Sequence, residues 1–226
     1  WLDDHSRYLL SCTAHKPVNG LDVVETFKAC INQYGVPYST LTDNGSVYTA
    51  RFVKGRNQFE YLLRTLSVRQ KNGSPGHPQT QGKIERFHQT QKRWLTGQTR
   101  ATNIHELQLQ LNEFTRIYNH HRPHKAIGNK TPQNAYASTP KAIPEGEGVT
   151  AHYRVRFDTV DKFGKLTLRR AGRVHHLGIG IIHARTAVMI LVDETDVTVT
   201  NARSGEVLST HLIDDNRNYW AKQEGH

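Results

Sequence analysis

Cysteine is nearly missing from this 226-residue sequence, and the two thiols present, Cys12 and Cys30, lie in apolar stretches with no zinc-like Cys/His spacing around them. That excludes a disulfide scaffold and leaves both as buried free thiols of a reducing compartment. No apolar run approaches the roughly 20 residues that a bilayer-spanning helix needs. The first residues also lack a charged-then-apolar signal pattern. These absences predict a soluble, cytoplasmic protein with no membrane partner. The length suits one large domain or two small ones, each able to bury a core without metal or disulfide staples.

Acidic residues are in deficit. Lys and Arg number 30 against 20 acids, giving a formal charge of +10 and a pI near 9.7, a balance that favours a polyanionic partner. The excess is local, as a binding surface requires. Residues 71–130 hold ten Lys/Arg and six His against three acids, whereas residues 186–226 hold three basic residues against seven acids. Residues 150–185 carry eight basic residues against Asp158 and Asp161, with few aromatics interleaved for base stacking.

Periodicity divides the chain into two textures. Tyr8–Ala14 reads as a strand, and Val23, Val24, Phe27, Ile31 and Tyr34 then fall at helical spacing before Gly35 and Pro37. Tyr38–Thr42 reads as a strand punctuated by Asp43-Asn44-Gly45. Phe59, Leu62, Leu63 and Leu66 form a second helical stripe, and the loop at 72–78 (NGSPGHP) is expected to be mobile. From about Thr80 a helix turns Ile84, Phe87, Trp94 and Leu95 inward, and another aligns Leu107, Leu111, Phe114 and Tyr118. Strand and helix alternate, which predicts an α/β core over residues 1–140. Residues 141–150 have linker composition, and 151–226 read as a small all-β domain. In that domain Tyr153, Val155 and Phe157 alternate with Arg154 and Arg156. Further strands are expected at Lys165–Arg169, Arg173–Leu177, Thr186–Val192, Val197–Thr200 and Val207–Leu208.

Two carboxylates stand out. Asp43 sits at the carboxyl end of a strand, where ligands of α/β sheets bind, although Asp-Asn-Gly is also the composition of a plain tight turn. Glu85 lies near the start of a helix, on a stripe with Gln81, His88, Gln89 and Lys92, or is simply a solvated helix acid. Hard oxygen donors on two elements amid basic residues suit magnesium or manganese acting on phosphate.

Three ordered blocks sharpen the reading: LTDNGSVYTA (41–50), SPGHPQTQGKIERFHQTQK (74–92) and YNHHRPHKAIGNKTPQNAY (118–136). Together they resemble the catalytic core of retroviral-type integrases and insertion-sequence transposases, over residues 2–137. The trailing β domain makes the chain most similar to the bacterial insertion-sequence enzymes.

The resemblance implies an RNase H-like core followed by a small SH3-like barrel. It also implies a site of two aspartates and a glutamate holding two Mg²⁺ or Mn²⁺ ions, which activate the attacking oxygen and stabilise the leaving one in DNA cleavage and strand transfer. Asp43 matches the second aspartate and Glu85 the glutamate. The interval between them exceeds the family's usual one, implying an insertion near Val53–Arg56. The first aspartate belongs to a strand preceding the LDDHSRYLL block, so the core is expected to lack its first strand, with ladder groups unpaired, and this chain to be inactive alone. Asp3 and Asp4 are expected to be turn or strand-end acids, and the His-rich tract at 118–124 a helix end rather than a zinc site.

Asn44, Lys83, Arg86 and Lys92 in the core, and Arg154, Arg156, Arg169 and Arg170 in the β domain, are the DNA-phosphate candidates. Further expectations are assembly of copies on DNA and a bacterial, nucleoid-associated location. The competing readings are a non-catalytic DNA-binding remnant and an RNase H-like nuclease.

Overall fold

The computed structural model describes residues 1–50, 55–73, 82–144 and 154–223. The four sequence-based helices are present, α1 (Gly20–Tyr34), α2 (Gln58–Thr65), α3 (Gly82–Thr96) and α4 (Ile104–His120), and a short helix that the sequence reading did not include, α5 (Pro132–Ser138), follows them. Their ends follow local chemistry. The Asn57 side chain accepts from the Glu60 N–H while the Glu60 carboxylate takes the Asn57 N–H, a reciprocal cap on α2. Asn103 caps α4 and Thr131 caps α5, whose first residue is Pro132. Gly35 leaves α1 at φ 86°, a conformation that glycine adopts without a side-chain penalty.

Strands β1 (Ser39–Thr42) and β2 (Arg69–Asn72) pair as a two-stranded sheet, and the Gly73 N–H donates to the Thr42 carbonyl at 2.9 Å. The strand expected at Tyr8–Ala14 does not form. Among the described residues its ladder contact is a single antiparallel bridge between Leu2 and Leu9. Side-chain amides of α4 take up the backbone groups instead. Leu9 N–H donates to Asn119 Oδ1 at 2.8 Å and Asn119 Nδ2 donates to the Leu9 carbonyl at 3.0 Å. Gln108 accepts from the Ala14 N–H at 2.8 Å and donates to the Cys12 carbonyl at 3.1 Å. The backbone is therefore satisfied without a neighbouring strand.

The chain divides into two compact units: 1–17, 25–43 and 71–144 in the first, and 18–24, 44–70 and 145–226 in the second. The first is built on a core of Leu9, Phe87, Phe114 and Tyr118, with Leu2, Cys12, Ile84 and Trp94 packed against it. Of the faces expected to turn inward, Phe87, Leu111, Phe114 and Tyr118 are buried and Ile84 and Trp94 pack against the core, whereas Leu95 and Leu107 are only half-buried. A second aromatic group joins Tyr8, stacked on Tyr136 at 4.7 Å, with Tyr34 edge-on to both. Cys30 is buried and Cys12 half-buried; both are free, and burial pushes each thiol above its ordinary range.

In the second unit every expected strand forms. A four-stranded antiparallel sheet runs β3 (Arg154–Thr159), β6 (Ala187–Val192), β7 (Asp196–Asn201) and β8 (Val207–Leu212). A three-stranded sheet joins β4 (Lys165–Arg170), β5 (Arg173–Gly178) and β9 (Tyr219–Trp220), with β5 and β9 parallel. One core lies between them, drawing Leu166, Leu168 and Leu177 from the smaller sheet and Ile190, Val197 and Val199 from the larger. The unbroken apolar run of β6 reflects burial on both faces: Val188, Ile190 and Val192 enter this core, while Met189 and Leu191 pack on Tyr61 of α2. On β3 the alternation is present, but its apolar side faces outward: Val155 and Phe157 are 44% and 63% exposed.

Three expectations fall outside the described residues: the mobility of the loop at 72–78 from residue 74 on, the insertion near Val53–Arg56 as far as residue 54, and the linker 141–150 beyond Pro144.

Candidate metal and nucleic-acid site

Asp43 directly follows β1, exposed, at the strand's carboxyl end. Asn44, next in the chain, is half-buried, and the Gly45 carbonyl accepts from the N–H groups of Tyr48 and Thr49 at 2.9 and 3.1 Å, closing the turn that follows. The turn and the strand-end carboxylate therefore coexist. Glu85 lies in the first turn of α3, where the helix dipole favours an anion, and is also exposed. Both carboxylates belong to the first unit.

The basic residues of α3 divide into paired and unpaired. Lys83 Nζ forms an ion pair with Asp4 Oδ2 at 2.7 Å and reaches the Asp4 carbonyl at 3.3 Å. Arg86 and Lys92 are exposed and form no ion pair among the described residues. Asp3 is a turn acid, as expected: its Oδ1 accepts from the Ser6 N–H at 2.8 Å and from the Ser6 hydroxyl at 2.5 Å.

In the second unit Arg154 and Arg169 are exposed and without an ion pair among the described residues. Arg156 is engaged by Asp158 at 2.6 Å and by the Thr167 carbonyl at 3.1 Å. Arg170 is held by Asp215 at 3.2 Å. Those two guanidiniums have structural partners that an incoming phosphate would have to displace.

Among the described residues no group of three or more His, Cys, Asp or Glu side chains is gathered to hold a metal ion. A magnesium or manganese site draws on one or two carboxylates, waters and substrate phosphates, and Asp43 and Glu85 are exposed carboxylates of the first unit. The His-rich tract forms the end of α4 and the 3₁₀ turn Lys125–Ile127, as expected of a structural segment.

The sequence reading missed a cavity of about 420 Å³ in the first unit, whose walls include Arg7, Lys83, Gly128, Lys130 and Ser138. The missing signal is long range: Arg7 and Lys130 meet only after the chain folds.

Residues 66–132 match the integrase core domain. Glu85 lies within that stretch and Asp43 precedes it. Among proteins, the chain is 30% identical over 148 residues to "Putative integrase ORF3" of Spiroplasma virus SpV1-C74, covering 59% of this chain and 40% of that protein. It is 28% identical over 104 residues to the Gag-Pro-Pol polyprotein of sheep pulmonary adenomatosis virus, covering 46% of this chain and 6% of the polyprotein. It is 38% identical over 100 residues to the Gag-Pro-Pol polyprotein of squirrel monkey retrovirus, covering 44% and 5%. The chain thus spans well under half the length of these relatives. A cryoEM structure of the simian T-cell lymphotropic virus intasome in complex with PP2A regulatory subunit B56 gamma aligns with all of this chain and 69% of that one, at a TM-score of 0.49 and 17% identity.

Proposed function

We propose that this chain is part of an integrase-type polynucleotidyl transferase of the insertion-sequence transposase kind, with an RNase H-like core, acting on DNA in the bacterial cytoplasm. The observation that carries the reading is the placement of two exposed carboxylates in one compact unit, Asp43 at a strand's carboxyl end and Glu85 in a helix's first turn, with Glu85 inside the stretch similar to the integrase core domain.

Asp43 and Glu85 would hold the divalent ions, which when bound would supply Lewis-acid activation of an attacking oxygen and stabilisation of the leaving one. The remaining work falls to the chain's own cations. Arg86 and Lys92 present free positive charge along α3 for the phosphodiester backbone. Lys83 would exchange its exposed pairing with Asp4 for a DNA phosphate, since a solvated ion pair contributes only about 0–1 kcal/mol. The β unit would add backbone contacts through Arg154 and Arg169, and several copies would assemble on the DNA.

A Mn²⁺ titration in the presence of a DNA duplex, followed by electron paramagnetic resonance, tests the site. Asp43→Asn and Glu85→Gln are each expected to weaken Mn²⁺ binding by about tenfold or more; unchanged binding in both variants overturns the assignment.

With no three-acid group among the described residues, the 226-residue chain is expected not to join strands alone. Efficient Mn²⁺-dependent joining would contradict that. The same observation favours one second reading, a DNA-binding chain without catalysis, which efficient Mn²⁺-dependent joining would exclude.

A further inference from the structure

The cavity beside Lys83 is lined by three strong cations, of which Lys83 alone pairs with a carboxylate, Asp4, among the described residues. We infer that the open depression lined by Arg7, Lys83 and Lys130 is a phosphate-binding site that seats one backbone phosphodiester of nucleic acid. The inference rests on the reading of the chain as DNA-binding, but not on the carboxylates of the proposed metal site.

Two backbone turns present two of the site's cations. Arg7 has φ 64°, in the left-handed region, which costs a residue with a side chain of order 1–2 kcal/mol. The turn at Asp3 holds it there: the Arg7 N–H donates to the Asp3 carbonyl at 3.0 Å and the Asp3 N–H to the Tyr8 carbonyl at 2.8 Å. The Arg7 guanidinium finds only the His5 carbonyl, at 3.4 Å, and pairs with no carboxylate among the described residues. On the facing side, the 3₁₀ turn Lys125–Ile127 ends in two consecutive left-handed residues, Gly128 at φ 68° and Asn129 at φ 58°, and then Lys130, exposed and likewise unpaired among the described residues. Gly128, Ala126 and Ala135, which also line the site, are small and leave room for a tetrahedral group.

The charge balance decides the ligand. Three strong cations line the cavity against a single carboxylate, Asp4, which is already paired with Lys83. The field extends beyond the walls. Arg7 and Arg122 both act on His124, whose pKa is lowered by burial first and by those two guanidiniums next. A cavity of about 420 Å³ lies within the ordinary range for ligand sites. A concave site with a net cationic lining in a protein of pI near 9.7 suits an anion with several acceptor oxygens, and the backbone of a polynucleotide supplies one at every residue.

The test uses the full chain and a fluorescein-labelled DNA duplex without divalent ions, with fluorescence anisotropy read from about 50 to 200 mM KCl. Arg7→Gln combined with Lys130→Gln is expected to weaken binding about tenfold or more at low salt and to reduce the slope of log K against log salt by about 1. A comparison pair that also removes two charges, Lys28→Gln with Arg100→Gln, is expected to change the slope by less than half as much. Should the Arg7 change impair folding, Lys130→Glu alone, at an exposed position, reads the same slope.

Equal affinity and slope in the cavity and comparison variants overturn the pocket, as does a wild-type chain that does not bind the duplex. Competition by inorganic phosphate at constant ionic strength, with the duplex slope unaltered by the cavity variants, overturns the polynucleotide in favour of a small phosphate ligand. A failed pocket with intact Mn²⁺ binding at Asp43 and Glu85 removes this inference alone.

Discussion

Asn119 and Leu9, 110 residues apart, form a cyclic amide pair: the buried Asn119 side chain accepts from the Leu9 N–H and donates to the Leu9 carbonyl at 2.8 and 3.0 Å. This is the hydrogen-bond pattern of one rung of an antiparallel ladder, with a side chain in the place of a strand. It lets Leu9 enter the core beside Phe87, Phe114 and Tyr118 with its backbone polar groups satisfied.

Removing that side chain should be costly. Asn119→Ala strips both partners from a buried N–H and a buried carbonyl, and each orphaned group costs about 1–3 kcal/mol. We expect a loss of about 2–4 kcal/mol in urea unfolding. A loss below about 1 kcal/mol would mean that Leu9 is held by other contacts.

This contact also marks the boundary of what the amino-acid order reveals. Tyr8–Ala14 has strand composition and was expected to be a strand, but a strand needs a neighbour, and local composition does not say whether the neighbour is backbone or the amides of Asn119 and Gln108. The β unit was far more legible, because the period of two on β4 and β5 and the short apolar run of β6 are local signals. Even there the outward turn of Val155 and Phe157 was not, since alternation separates two faces without saying which is covered. For the candidate site, Asp-Asn-Gly after β1 fixed the position of Asp43, and the helical stripe fixed that of Glu85. The pairing of Lys83 with Asp4 and the meeting of Arg7 with Lys130 are set by tertiary structure and leave no trace in spacing.

Trp220 closes the core of the β unit from a strand only two residues long. It is 2% exposed, stacks on His175 at 4.4 Å, and its indole N–H donates to the Asp214 carbonyl at 2.8 Å. Trp220→Ala empties that volume, and large-to-small changes of this kind cost about 3–5 kcal/mol. We expect a loss of that size by denaturant unfolding; a change under about 1 kcal/mol would mean that the core closes without β9.

Stabilisation is available on β1. The Thr40 hydroxyl is buried and has no hydrogen-bond partner among the described residues. Thr40→Val keeps the β-branched shape suited to a strand and removes a polar group that is dehydrated without compensation. An increase of about 1 kcal/mol in unfolding free energy is expected, seen as a higher Tm. A decrease would show that the hydroxyl is in fact bonded.

Acid should weaken the fold through two histidines. His211 is fully buried, with Nδ1 against the Trp220 carbonyl at 2.9 Å and Nε2 against the Ser209 hydroxyl at 2.9 Å. Burial lowers its pKa, outweighing the opposing pull of the Trp220 and Ala221 carbonyls; His124 is lowered by burial, with Arg122 and Arg7 adding to the effect. A folded pKa below the unfolded value of 6.5 means that, between the two, the unfolded chain binds more protons, so stability rises with pH across that window. The stability is fully present above the unfolded pKa and is lost as pH falls through 6.5 toward the folded values. Urea unfolding at about pH 7.5, 6.5 and 5.5, above the range where most carboxylates titrate, should give a falling free energy, and His211→Gln should flatten the decline. Stability that rises on acidification across this range would require these imidazoles to be favoured as cations in the folded chain, contrary to their burial.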